Sequence, residues 1–314
     1  MTSHVTPSSA QPPSRTDVSE GSGPGLDRRS ALREFLRSRR ARLTPEDVGL
    51  PSSGRRRVPG LRREELAQLA GVSFAYYTRL EQGHGDTMSA DVLNAVARAL
   101  RLGRDEHAHL FRLARPELHG NRHAAPQSQR LRPGIQQLLD ALDRVPAYVC
   151  GRRLDVLGWN RLATTVFGDW SRLPPRERNL SRLVFLSPAV RERFADLETK
   201  MLDVVSVLRV DAGTHPEDAE LAALIGELAE KSSDFRRLWA RHDVRRRDHG
   251  VQRLRHPVVG GLTLSFEAMG LRGDTDQILV TYHAEPGSTS RKALWLLAGL
   301  AAPRTEFTSQ QQDA

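Results

Sequence analysis

The sequence predicts two domains of different class, an all-α domain followed by an α+β domain built on an antiparallel sheet. From about residue 28 to 115, apolar side chains recur only at helical spacing. Beyond residue 133, short strand-like runs bounded by glycine flank a block of helical segments. Residues 116–132, PELHGNRHAAPQSQRLR, carry neither period and read as the linker. A chain of 314 residues is long enough to bury two cores. Residues 1–26, rich in Ser, Pro, Gly and Thr, and residues 303–314 read as disordered tails. The domains are therefore expected at 27–115 and 133–302.

In the first domain Leu32, Phe35, Leu36 and Leu43 mark an amphipathic helix from about 28 to 42. It is studded with Arg33, Arg37, Arg39, Arg40 and Arg42. Thr44-Pro45 offers a cap and a helical first position for a single turn. Residues 49–60, GLPSSGRRRVPG, form a basic loop. After two short helices, Ser89 caps a helix carrying Val92, Leu93, Val96, Ala97 and Leu100. A fifth, from about 104 to 115, carries His107, Leu110, Phe111 and Leu113.

The two short helices lie in residues 62–83, RREELAQLAGVSFAYYTRLEQG. Leu66, Ala67, Leu69 and Ala70 give the first one apolar face. Gly71 stands where that helix must stop and accepts the left-handed backbone a stop requires. Val72 plugs the corner and Ser73 caps the second helix, where Tyr77 and Leu80 face inward. Ala75, Thr78, Arg79 and Gln82 fall on the other side. This is the layout of a helix-turn-helix, whose second helix enters the DNA major groove. Arg62 and Arg63 sit at the start of the first helix, where the dipole favours Glu64 and Glu65 instead. Either an external phosphate meets that helix end, or both arginines are solvated surface residues.

Net charge is +9, and of 47 basic residues only Lys200, Lys231 and Lys292 are lysines. Arginine's planar fork suits phosphates and guanine edges, although a high-GC genome produces the same bias. The single cysteine, Cys150, leaves no intramolecular disulfide or multi-cysteine zinc site and suits a reducing compartment. His119 and His123 have no acidic or thiol partner nearby, so no metal is expected. The longest apolar run, Leu294 to Ala302, is too short to span a bilayer, and no signal pattern opens the chain. A cytoplasmic, nucleoid-associated protein without a membrane partner is expected.

The second domain opens with a short helix carrying Ile135, Leu138, Leu139 and Leu142. Tyr148 to Cys150 and Leu154 to Trp159, separated by Gly151-Arg152-Arg153, predict a hairpin. Asn160 caps a helix carrying Leu162, Val166 and Phe167. One helix from about 188 to 209 places Val190, Phe194, Leu197, Met201, Val204, Val205 and Leu208 on a broad face. Another, from about 216 to 230, carries Leu221, Leu224, Ile225 and Leu228. Ser232 or Ser233 caps a helix with Phe235, Leu238 and Trp239. Strands at Val251 to His256, Leu262 to Met269 and Ile278 to His283 precede a last helix from Ser288. Two strands, a helical block and three antiparallel strands is the element order of a PAS-like domain. The expected fold is an all-α five-helix helix-turn-helix domain followed by an α+β PAS-like domain with an antiparallel sheet.

On these words the chain resembles two known families. GRRRVPGLRREELAQLAGVS and YYTRLEQG resemble the xenobiotic-response-element (Cro/C1-type) helix-turn-helix regulators. WNRLATTVFGDW, RNLSRLVF, SSDFRRLWARHDVR and RLRHPVVGGLTL resemble the MmyB-like ligand-binding domain of actinobacterial regulators. The resemblance implies a sequence-specific DNA-binding transcriptional regulator whose PAS-like domain senses an apolar, fatty-acid-like small molecule. No cofactor is expected beyond that ligand. Double-stranded DNA is the expected partner, and pairing across half-sites makes a homodimer the expected unit.

By the same resemblance Phe74, Ala75, Thr78 and Arg79 meet bases, and Arg62, Arg63 and Gln82 meet phosphates. Arg79 is the first choice to grip a guanine. Tyr76 lies between the faces, and Glu81 is expected to pair with an arginine of its own domain. The loop arginines Arg55, Arg56 and Arg57 suit phosphate, a minor groove or plain solvation. Tyr148, Trp159, Trp239, His256 and Phe266 are the ligand-binding candidates, with Asn160, Arg209 and His242 beside them. Trp159 and Trp239 suit pocket walls and ordinary core equally, and His256 before Pro257 also suits a structural role. Tyr148 and Phe266 face a sheet-lined cavity if the strand register holds. A second reading makes the C-terminal domain a protein-docking or dimerisation module without a ligand. An enzyme is not expected: the sequence holds no GxxxxGK(S/T), GxSxG or HExxH word and no clustered metal ligands.

Overall fold

Caps written into the sequence set the boundaries of the first five helices. The computed structural model describes residues 27–51, 60–115, 129–244, 247–273 and 276–301. In it α1 spans Arg28–Arg42, α2 Arg63–Ala70, α3 Phe74–Glu81, α4 Ala90–Ala99 and α5 Arg104–Ala114. Asp27 accepts from the amides of Arg29 and Ser30, Ser73 from Tyr76 and Ser89 from Val92. The carboxylates of Glu65 and Glu106 reach back to the amides of Arg62 and Gly103 at 2.7 and 3.2 Å. Each such cap contributes about 1 kcal/mol. Gly71 holds φ at +66°, which turns α2 into α3. Leu36, Leu66, Tyr77, Leu80, Leu93 and Leu110 fill the core between the helices. Arg55, Arg56, Arg57, His119 and His123 lie outside the described residues, as do both expected tails.

In the second domain β1 (Ala147–Cys150), β2 (Val156–Trp159), β3 (His249–His256), β4 (Gly260–Gly270) and β5 (Ile278–His283) form one antiparallel sheet, ordered β2-β1-β5-β4-β3. Strand β1 lies inside the sheet, between β2 and β5, and is buried on both faces. One face, with Ala147, Val149 and Leu279, is covered by Leu139 of α6 (Pro133–Asp140). The other, with Tyr148, Leu264, Phe266 and Tyr282, joins the main core. That core also draws on α7 (Arg161–Phe167), α8 (Leu180–Leu186), α10 (Leu197–Thr214), α11 (Ala219–Lys231), α12 (Ser233–Trp239) and α13 (Thr289–Ala301), with α9 being Pro188–Arg191. Asn160 caps α7 through the Ala163 amide and also binds the Ala147 amide and the carbonyls of Leu142 and Val145. Within the expected linker, residues 129–132 dock on this domain: Gln129 accepts from the Arg152 amide, and the Arg130 carbonyl from Gln277.

The single helix expected from about 188 to 209 is two helices. Between α9 and α10 the backbone pairs with β3, with Arg255 donating to the Arg193 carbonyl at 2.7 Å and Ala195 to Arg253 at 3.0 Å. Phe194 is buried by this edge pairing rather than by a helical face.

The two domains meet along α10 and the turn after α12. Val244 is buried in the core of the first domain, and Val210 of α10 packs against it. Arg39, one of the arginines that stud α1, is only 2% exposed because this turn covers it, and it donates to the His242 carbonyl. Arg42 binds the Arg241 carbonyl and Asp243. Arg209 donates to the Trp239 carbonyl and to His242 Nδ1, the latter at 3.0 Å, so that nitrogen must be unprotonated. No helix among the described residues is long and apolar enough to cross a membrane.

Burial and the nearby Arg209, Arg39 and Arg42 push the His242 imidazole down to about 4, against a weak opposing pull from Asp243. Glu34 stands 3.8 Å from its Nε2. A histidine whose folded value is depressed leaves the unfolded chain holding more protons. Its stability contribution is therefore present above 6.5 and lost as pH falls toward 4. Thermal unfolding of the full chain should weaken across that window, and less steeply in His242→Asn, which keeps an acceptor for Arg209. Identical pH profiles would contradict this account.

A DNA-reading face and an apolar cavity

Helix α3 presents one open face. Phe74 is 49% exposed, and Ala75, Arg79 and Gln82 are exposed beside it. Thr78 lies half-buried on the same helix, with its hydroxyl oxygen covered and without a hydrogen-bond partner. Arg62 and Arg63 are exposed at the start of α2. The second domain docks on α1 and α5, away from this face.

A buried carboxylate holds the face in place. Glu81 is 1% exposed and accepts from Arg40 Nε and Nη2 at 2.9 and 3.0 Å, from Tyr77 Oη at 2.7 Å and from Arg63 Nε at 2.8 Å. Burial pushes this carboxyl up, but hydrogen bonds from Arg40, Tyr77 and Arg63 outweigh it and the net shift is downward. One anion thereby ties α3 to α1 and α2. The cation at the start of α2 thus has an internal answer in Arg63, whose guanidinium is anchored through Nε while its side chain stays 45% exposed.

A cavity of about 360 Å³ lies between the inner sheet face and α10. Tyr148, Phe266, Val280 and Tyr282 from the sheet and Val204 and Val207 from α10 supply apolar wall, with the Tyr148 and Tyr282 hydroxyls 3.1 Å apart. Charged side chains line it as well: Arg247 pairs with Asp203 at 3.0 Å, Asp211 accepts from the Arg153 amide, and Lys200 and His215 stand alongside. Cys150 also lines the cavity, and burial pushes its thiol up to about 12. The volume and the combination of apolar wall with charged side chains suit a small amphipathic molecule.

Of the five ligand-binding candidates the structure brings Tyr148 and Phe266 to this cavity; Trp159, Trp239 and His256 do not line it. Trp159 packs edge-on against Trp170 under Arg178. Trp239 stacks on Phe235 and carries Arg209 over its ring at 4.1 Å, at the domain interface. His256 uses both nitrogens structurally, with Nε2 donating to the Thr165 carbonyl and Nδ1 accepting from the Val258 amide. Residues 131–297, just over half of the chain, match the family described as the MmyB-like transcription regulator ligand binding domain. The chain belongs to that family. Residues 31–110 match a helix-turn-helix domain, so the MmyB-like domain here serves a DNA-binding transcription regulator. No individual curated protein matches the chain.

Removing the carboxylate that three donors share should leave buried charge uncompensated. Glu81→Ala is expected to cost about 3–5 kcal/mol in chemical denaturation. A loss below about 1 kcal/mol would show that the clasp does not hold α3.

Proposed function

We propose that this regulator reads a specific DNA site as a homodimer and holds an apolar, fatty-acid-like molecule in the cavity under α10. The observation that carries the ligand reading is the cavity itself, where apolar sheet and helix side chains are joined by charged ones such as Lys200 and Arg247, a lining that suits an acyl chain with a carboxylate. On the DNA side, Arg79 grips a guanine edge and Phe74 and Ala75 pack on thymine methyls. Thr78 adds its methyl, and Arg62, Arg63 and Gln82 fix the register on phosphates. Tyr148 and Phe266 contact the ligand directly.

The alternative, a docking module without a ligand, has one observation in its favour. Trp295, Leu296 and Leu300 of α13 are 51%, 56% and 62% exposed, an apolar face of the kind that meets another protein.

Arg79→Ala should cost about 1–3 kcal/mol on the specific site and little on random DNA. Arg62→Ala should weaken both alike and flatten the log-affinity against log-salt slope by about 0.9. Equal losses on both DNAs for Arg79→Ala would remove it from base reading. For the ligand, native mass spectrometry of the purified protein should show a retained apolar compound, displaced in Val207→Trp. If neither the purified chain nor one soaked in cell lipid extract retains a compound, the docking-module reading replaces this one.

A further inference from the structure

The cavity is not built by the second domain alone. Arg112, on α5 of the DNA-binding domain, is among its lining residues, beside Val210 and Thr214 of α10. It lies between the two stretches that match known families, which end at 110 and begin at 131. Around it α5 and α10 are in close contact. A Cβ added at Gly213 would sit 3.0 Å from His109 Cε1, 3.3 Å from its Nδ1 and 3.4 Å from Leu113 Cδ2. All three atoms belong to α5, and Gly213 itself does not line the cavity. Val210, which does, packs into the core of the DNA-binding domain.

We infer that the DNA-binding domain closes the ligand cavity, with Arg112 as the wall it contributes and α10 as the partition both domains share. This rests on the cavity being a ligand site. Its consequence is thermodynamic. A molecule that touches Arg112 binds the docked arrangement more tightly than an undocked one, so occupancy holds the domains together and docking raises ligand affinity by the same factor. Arg112 is then a ligand-binding residue on a helix of the DNA-binding domain.

The chain supplies its own reporter, because Cys150 is its single cysteine and lines the cavity. Iodoacetamide is small and uncharged, and alkylation of the thiol, with loss of iodide and a proton, adds one mass increment per chain. The full-length protein is labelled at fixed pH and followed by mass spectrometry. Gly213→Leu wedges α5 from α10 without entering the cavity, and Arg112→Ala removes the wall. Both should label at least tenfold faster than wild type, while Phe74→Ala on the DNA-reading face should not. Gly213→Ala provides a milder wedge, expected in between, should the leucine variant not fold. Rates within twofold of wild type in Arg112→Ala and the wedge variants would overturn the inference. The comparison among variants needs no ligand. The ligand reading fails separately, if no apolar compound slows wild-type labelling.

Discussion

Helix α10 works under a constraint that shapes the whole molecule: from Met201 to Gly213 no residue is exposed. At 3.6 residues per turn its surface divides into three stripes. Val204, Val207 and Asp211 face the cavity, Met201, Val205 and Leu208 enter the core of the second domain, and Arg209, Val210 and Gly213 meet the DNA-binding domain or the turn that docks it. A close-packed helix with three occupied stripes cannot shift on one without disturbing the others. The cavity and the domain interface are therefore two sides of one wall. If the cavity holds the proposed ligand, α10 touches both that ligand's site and the DNA-binding domain, which is what a ligand-responsive regulator requires.

The output domain meets this wall with a stiffened reading face. The Glu81 carboxylate, shared by Arg40, Arg63 and Tyr77, fixes α3 relative to α1 and α2. Helix α1 also carries Arg39 and Arg42, which bind the turn of the second domain. The same helix thus links the clasp behind the DNA-reading face to the domain interface. Docking at α1 and α5 leaves α3 uncovered, so the docked arrangement is compatible with a helix in the major groove.

Local chemistry was legible from the residues alone. Gly71, Ser73, Ser89 and Asn160 announced their turns and caps because each acts on backbone within a few residues, whereas the choice between Ser232 and Ser233 was left to the structure, which uses Ser232. The antiparallel sheet followed from runs of alternating residues between glycines. What helical spacing could not show is which surface covers a face. Nothing in the spacing of the α1 arginines singles out Arg39 for burial, which comes from the turn at 239–244. Phe194 is apolar in a helix or a strand, so its pairing with Leu254 left no periodic trace. Trp239 and His256 carry functional chemistry in isolation but are occupied by stacking and backbone bonds. Arg112 had no local signal, since its role depends on how two separately folded units meet.

Hydrogen exchange on the full chain shows whether cavity and DNA-binding domain are coupled through the shared α10. Exchange is compared with and without a saturating apolar compound retained by the protein. Protection should rise together in α5, α10 and the sheet face around Tyr148 and Phe266, by the same factor in α5 and α10. Added protection confined to the sheet and α10, with α5 unchanged, would contradict that coupling.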